Sequence, residues 1–256
     1  MRPTGGPDPP GNDAASPGEP TPGDALLELV SISAGYGRFR ALFDVSLSVP
    51  TGAAVGVVGP NGAGKTTLAR VCSGLVRPAR GQVRFAGEDV TALPAHRLAR
   101  RGLAHVPEGR GVFATLSVEE NLALAFRQGQ GRVAATRTLG QAYELFPRLG
   151  ERRRQEAGTL SGGEQRLLSL ARVLARPPRL VIADELTLGL DPGMVEAVHN
   201  ALASLSGQGV TLMVIEQRPA LASAVADRLV LMRHGRVHRT GPSSQVGGDA
   251  DRLLDG

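Results

Sequence analysis

The chain is predicted to fold as an α/β protein, with a core sheet, an antiparallel β subdomain before it and a helical subdomain inserted into it. Three patterns in the 256 residues lead there. "AAVGVVG" (53–59), "RLVIAD" (179–184) and "TLMVIE" (211–216) are short unbroken apolar runs, as in strands buried on both faces. "LLELVSIS" (26–33) and "LFDVSLSV" (42–49) alternate apolar and polar residues, as half-buried antiparallel strands do. Between about 115 and 175 the apolar residues recur at helical spacing and strand signals vanish.

Taken in order, residues 1–24 are Pro/Gly-rich and nearly free of large apolar side chains, so they read as a disordered tail that cannot offset its ordering entropy. A domain spans 25–243. Its first buried run leads into "GPNGAGKTT" (59–67) and a helix starting at Lys65. "GMVEAVHNALASLSGQG" (193–209) and "PALASAVAD" (219–227) carry helical patterns around the strand 211–216. "RLVLMRHGRVHRTG" (228–241) reads as a hairpin turning at His234-Gly235, and 244–256 as a short tail. No internal repeat is visible.

Composition narrows the function. Hydrophobic residues make up 41% and charged residues 21%, ordinary for a soluble globular protein. Aromatics are 3% with no Trp, which argues against a base-stacking nucleic-acid platform. No apolar run is long enough to span a bilayer, and no signal peptide pattern opens the chain. Cys72, the one cysteine, has no internal disulfide partner and fits a reducing compartment, where it reads as a packing residue. The net charge of +5 is carried by 28 arginines and a single lysine, Lys65.

That lysine lies in a glycine-rich loop between a buried strand and a helix, the setting a phosphate loop requires. Gly59, Pro60, Asn61, Gly62, Ala63 and Gly64 let backbone N–H groups wrap an anion, Lys65 reaches the terminal phosphates, and the Thr66 hydroxyl, followed by Thr67, can ligate Mg²⁺. A compact ammonium fits such a loop where a planar guanidinium does not. The fold class is therefore that of a phosphate-loop NTPase. The strand 179–184 ends in Asp184, placed to hold Mg²⁺, and Glu185, placed to polarise an attacking water. "TLSGGEQ" (159–165) opens a helix with Ser161 and Glu164 spaced as a capping box. Ser161, Gly162 and Gly163 at that helix start form a second phosphate-binding surface.

"GPNGAGKTT", "LSGGEQ", "LVIADE" and "LGLDP", in this order, resemble the ATP-binding subunits of ABC transporters over roughly residues 26–243. The resemblance implies ATP and Mg²⁺ as ligands and a head-to-tail pairing with an identical or paralogous subunit. Each ATP would lie between the phosphate loop of one subunit and Ser161, Gly162, Gly163 and Glu164 of the other. It implies that Tyr36 stacks on adenine and that residues 188–191 cross the dimer interface. It further implies integral-membrane permease partners, a substrate-binding protein acting indirectly, no nucleic acid, and a peripheral place on the cytoplasmic face of the membrane. "VPEGRGVFATLSVEENLALA", "YELFPRLGERR" and "VIEQ" resemble the subunits of branched-chain amino-acid importers in particular.

Three positions depart from the broad family pattern. Glu108 stands where glutamine is usual, at a position that touches Mg²⁺ or the attacking water. Gln217 stands where a histidine usually contacts the γ-phosphate, although the importer branch carries both of these residues. Leu186 replaces a proline after the two acids, which is expected to loosen that turn; Arg218-Pro219 replaces the usual Asn. Three functions compete on this reading: an energising subunit of an importer, a non-transport ABC ATPase, and a nucleotide-responsive module with little hydrolysis. Arg152–Arg154 read as a solvated helix end, and His96, His105, His199, His234 and His238 lack metal-ligand spacing.

Overall fold

The computed structural model describes residues 25–109, 111–130, 132–175 and 178–254; the tail expected over 1–24 lies outside them. Strands β1 (Ala25–Tyr36) and β2 (Phe39–Pro50) form a hairpin, followed by β3 (Ala54–Val58) and α1 (Lys65–Cys72). Strands β4 (Arg80–Phe85) and β5 (Glu88–Asp89), helix α2 (Ala95–Arg100) and strand β6 (Leu103–Val106) come next. The helical stretch holds α3 (Val118–Gln130), α4 (Arg132–Leu145), α5 (Pro147–Glu151) and α6 (Gly162–Ala171). The chain returns to the core through β7 (Leu180–Asp184), α7 (Pro192–Gly207), β8 (Thr211–Glu216) and α8 (Pro219–Ser223). It closes with β9 (Arg228–Arg233), β10 (Arg236–Pro242) and α9 (Ser243–Leu254).

These strands make two sheets. An antiparallel sheet has the order β2-β1-β4-β5, and a core sheet the order β10-β9-β3-β8-β7-β6. In the core sheet β9, β3, β8, β7 and β6 are parallel, and β10 pairs antiparallel at its edge. Because side chains alternate across a strand, the unbroken apolar runs feed two cores at once. Val55, Val57, Ile182, Met213 and Ile215 join the core under the antiparallel sheet and α1. Ala54, Val181, Ala183, Leu212 and Val214 join the core under α7 and the helical stretch. All of β3, β7 and β8 is buried, so their C-terminal ends form a fixed row from which the loops emerge.

The hairpin expected at His234-Gly235 is present, with both residues at positive φ (48° and 72°). The segment from 244, expected to be a tail, instead belongs to α9, where Val246 packs against Ala222, Leu229 and Leu231. Gly247 and Gly248 weaken its intrinsic helicity, and burial of Val246 offsets that weakness.

Candidate functional site

β3 delivers the chain to the glycine-rich loop, and the loop turns directly into α1. Gly62 and Gly64 sit at φ 78° and 99°, and a Cβ on Gly64 would lie 2.8 Å from the Ala41 carbonyl oxygen. A side chain there would be both strained and blocked. α1 has no acid in its first turn and no side-chain cap, so its N-terminal amides and positive dipole end are uncompensated. Lys65 is buried, and its ammonium donates to the carbonyls of Gly59 (2.9 Å) and Pro60 (3.2 Å). It also lies 3.1 Å from Glu185 Oε1, which satisfies all three of its protons.

The two acids at the end of β7 sit side by side in different surroundings. Asp184 is 1% exposed, and neither carboxylate oxygen has a partner at hydrogen-bonding geometry. Burial and the neighbouring charges of Glu185 and Glu108 push it up to about 6, with Lys65 and the Thr66 hydroxyl pulling the other way. Glu185 is gripped at both oxygens, Oε1 by Lys65 and Oε2 by the Gln217 amide at 3.0 Å. Its backbone is left-handed (φ 49°), an uncommon conformation for a side chain of this size and one met at functional sites.

A cleft of about 390 Å³ joins these groups. It is lined by Lys65, Thr66 and Thr67, by Glu108, Glu185 and Gln217, by Tyr36, and by the loop residues 61–64. Eleven of the expected residues thus line one space, together with the exposed Phe39; Gly59, Pro60 and Asp184 are not among its lining. Tyr36 and Phe39 are cross-strand neighbours at the β1–β2 tip, and the Tyr36 hydroxyl accepts from Arg70 at 3.0 Å. The donors around Asp184 suit a hard divalent cation. An unpartnered carboxylate, a hydroxyl at Thr66 and a second carboxylate at Glu108 match the one or two acids with which Mg²⁺ is usually held beside phosphates. Among the described residues no three His, Cys, Asp or Glu side chains gather as a complete cage.

Ser161, Gly162 and Gly163 line a separate, smaller cavity with Arg166 and residues 188–191; Leu188 borders both spaces. The capping box forms as expected: the Glu164 amide donates to Ser161 Oγ (3.3 Å), and the Ser161 amide to Glu164 Oε2 (3.0 Å). Arg152 is not merely solvated. Its guanidinium pairs with Glu164 Oε1 at 2.8 Å and ties the cap to the preceding loop. Cys72 is fully buried, which pushes its thiol up to about 12 and fits a packing role. Burial pushes the His105 imidazole down to about 4, so it stays neutral.

The structure adds residues that the sequence reading passed over. Glu216, buried at the end of β8, accepts from the Thr187 amide at 3.3 Å, and burial pushes it up to about 7. Arg166 on α6 donates to the carbonyls of Leu186 (3.3 Å) and Leu188. Asn121 binds Phe113, Leu116 and Ser117 and so staples the loop that follows Glu108. A charged residue ending an otherwise apolar run was the one available signal, and it pointed to Glu216. The loosening expected at Leu186 is not observed: Leu186 is 2% exposed within the second core, and Arg166 and Glu216 hold the turn on either side.

Comparison with known proteins agrees with this geometry. The model of the ABC transporter family matches residues 42–188. The high-affinity branched-chain amino acid transport ATP-binding protein BraG of Pseudomonas aeruginosa is 40% identical over 84% of this chain and 93% of its own length. The lipopolysaccharide export system ATP-binding protein LptB of Acidithiobacillus ferridurans is 34% identical over 86% of this chain and 92% of its own. The crystal structure of an ATP-binding cassette of an ABC transporter in its ADP conformation superposes with a TM-score of 0.78 at 26% identity, covering 91% of this chain and 99% of that one. With the phosphate loop, the paired acids and the capped Ser-Gly-Gly helix all in place, the chain belongs to the ABC transporter family of ATPases.

Proposed function

We propose that this chain is the ATP-hydrolysing subunit that energises an importer of branched-chain or related amino acids. The observation that carries the chemistry is the meeting of Lys65, Glu185 and Gln217 beside the unpartnered Asp184. When a triphosphate enters, Lys65 exchanges its contacts with the Gly59 and Pro60 carbonyls and Glu185 for phosphate oxygens, joined by the loop amides and the start of α1. Thr66, Asp184 and Glu108 would hold Mg²⁺, which supplies charge neutralisation on the phosphates. The release of Oε1 leaves Glu185 able to take the proton of a water attacking the γ-phosphorus, while Gln217 keeps the carboxylate oriented through Oε2. Tyr36, steadied by Arg70, offers a face to adenine.

The signature surface of α6 faces a different cavity from the phosphate loop, and this supports a second ATPase subunit supplying Ser161, Gly162 and Gly163 across the nucleotide. Glu164 then acts by holding Ser161 in place. Among the described residues no helix is long and apolar enough to cross a membrane. On this reading the transport path lies in permease subunits, with this chain at their cytoplasmic face. A substrate-binding protein would choose the cargo. The likeness to the branched-chain amino-acid relative supports that cargo, and the likeness to the lipopolysaccharide-export relative supports a second reading as the motor of an export system.

The test is to pull down tagged Glu185→Gln protein with ATP from detergent-solubilised membranes of its own host and identify the co-purifying chains. Polytopic permeases encoded with a substrate-binding protein, together with a second ATPase, support the importer. Permeases of a lipid-export assembly overturn the cargo, and soluble partners alone overturn transport.

A further inference from the structure

We infer that Arg166 and Glu216 form a clamp on the turn Glu185–Leu188 and act as positioning residues for the Glu185 carboxylate. The inference rests on the reading of Glu185 as the group that activates water. A left-handed non-glycine residue persists only when its surroundings over-determine it. At Glu185 the backbone offers few constraints: its own amide bonds the Ile215 carbonyl at 2.9 Å, and the Leu188 amide reaches back to the Glu185 carbonyl at 3.4 Å. Leu186 lacks the fixed φ that a proline would bring to this position. Leu186 packs into the second core, and two polar side chains on different elements add hydrogen bonds to the turn. Glu216 accepts from the Thr187 amide, and Arg166 donates to the carbonyls on either side of Thr187, those of Leu186 and Leu188.

The placement of each matters. Glu216 directly precedes Gln217, whose amide holds Glu185 Oε2, so one strand end fixes both the turn and the carboxylate. Arg166 lies in the helix that Ser161 caps, and it lines the cavity with Ser161, Gly162 and Gly163. The clamp therefore connects the surface that receives a second subunit's nucleotide with the acid that serves the chain's own. Hydrogen bonds from a guanidinium to backbone carbonyls, and from a backbone amide to a buried carboxyl oxygen, can hold such a turn.

Steady-state phosphate release by the full chain tests this, with wild type and Glu185→Gln as controls. Arg166→Gln and Glu216→Leu should each lower kcat roughly 10- to 100-fold, as displacement of a reacting group does, with KM for ATP within about threefold of wild type. Glu216→Gln should recover most of the turnover lost in Glu216→Leu, because its amide oxygen still accepts from Thr187. In the Glu185→Gln background Arg166→Gln should bring no further loss, since it acts through the missing carboxylate. If Glu216→Leu does not fold, Arg166→Gln decides the matter, because Arg166 lies only half-buried. Unchanged kcat in Arg166→Gln, or a raised KM with kcat retained, overturns the clamp; the raised KM would mean that Arg166 touches nucleotide directly. Wild-type protein without turnover, or Glu185→Gln with full turnover, overturns the underlying reading of Glu185 itself.

Discussion

The two anion-binding ends of this molecule are built in opposite ways. The cleft at Lys65 is buried and ionic, with Lys65 engaged by Glu185 and two carbonyls and Glu185 by Lys65 and Gln217, while the unpartnered Asp184 beside them is pushed up to about 6. The end at Ser161 presents an exposed helix start, with Glu164 spent on the helix cap and Arg152, and Asp191 on the cap of α7. A buried charge without a partner costs several kcal/mol, so the first end must satisfy itself until a ligand replaces its contacts. An exposed helix start is satisfied by water and can wait. The difference fits the proposal that the first end is catalytic and the second completes a site on another subunit.

Removing charge from the first end should have the largest effects. Glu185→Gln keeps the Lys65 contact as a neutral one but cannot accept a proton, so turnover should fall by about 10²- to 10⁴-fold while ATP still binds. Single-turnover phosphate release measures the first and fluorescent-nucleotide titration the second. Lys65→Ala should weaken ATP binding by roughly 10²- to 10³-fold in the same titration, since two or more charge-assisted bonds to phosphate are lost. Affinity within a few-fold of wild type would mean that the loop amides and the dipole of α1 hold the triphosphate without the ammonium.

What was legible in the sequence follows the same division. The capping box at Ser161 and Glu164 could be read because its partners are three residues apart. The phosphate loop and the strands 179–184 and 211–216 could be read because glycine spacing and unbroken apolar runs are local signals. The ion pair of Lys65 with Glu185 and the Gln217 contact join residues far apart in the chain, and only the neighbouring C-terminal ends of β3, β7 and β8 bring them together. Arg166 and Glu216 were missed for a further reason: they bind backbone atoms, so no partner side chain marks them in the sequence. Strands β4 and β5 escaped because β4 is exposed over its first three residues and β5 has two residues in all. The helix α9 escaped because its two glycines argue against it and its support is tertiary.

Glu216 gives an intermediate effect and a definite sign. Its carboxyl is raised from 4.5 to about 7, chiefly by burial, with the Glu185 charge adding to this and Thr187 and Arg166 opposing it. A raised acid binds its proton more tightly in the folded state, so its stabilising contribution is full below about pH 4.5 and is lost as pH rises through about 7. Asp184 titrates in the same sense, so wild type and Glu216→Gln must be compared at each pH. Denaturant midpoints should show Glu216→Gln gaining on wild type between pH 5 and 8, by an amount on the order of 2 kcal/mol. A constant difference across that range would mean that Glu216 is ionised in the folded protein throughout, held by Arg166.

The smallest effect belongs to the exposed end. Ser161→Ala removes the oxygen that accepts from the Glu164 amide, and loss of such a cap costs about 1 kcal/mol. The Glu164 carboxylate keeps its bond to the residue-161 amide and its pair with Arg152, so α6 should stay formed and the unfolding midpoint should move by only a few degrees. Fluorescent ATP should bind the separated subunit as tightly as wild type, because the phosphate-loop cleft lies elsewhere. Turnover should nevertheless fall, and it should fall most at low protein concentration, where a second subunit must be recruited through this surface. If Ser161→Ala instead weakens nucleotide binding by the separated subunit, the two ends are coupled within one chain before any second copy arrives, and the division between a self-satisfied site and a waiting one fails.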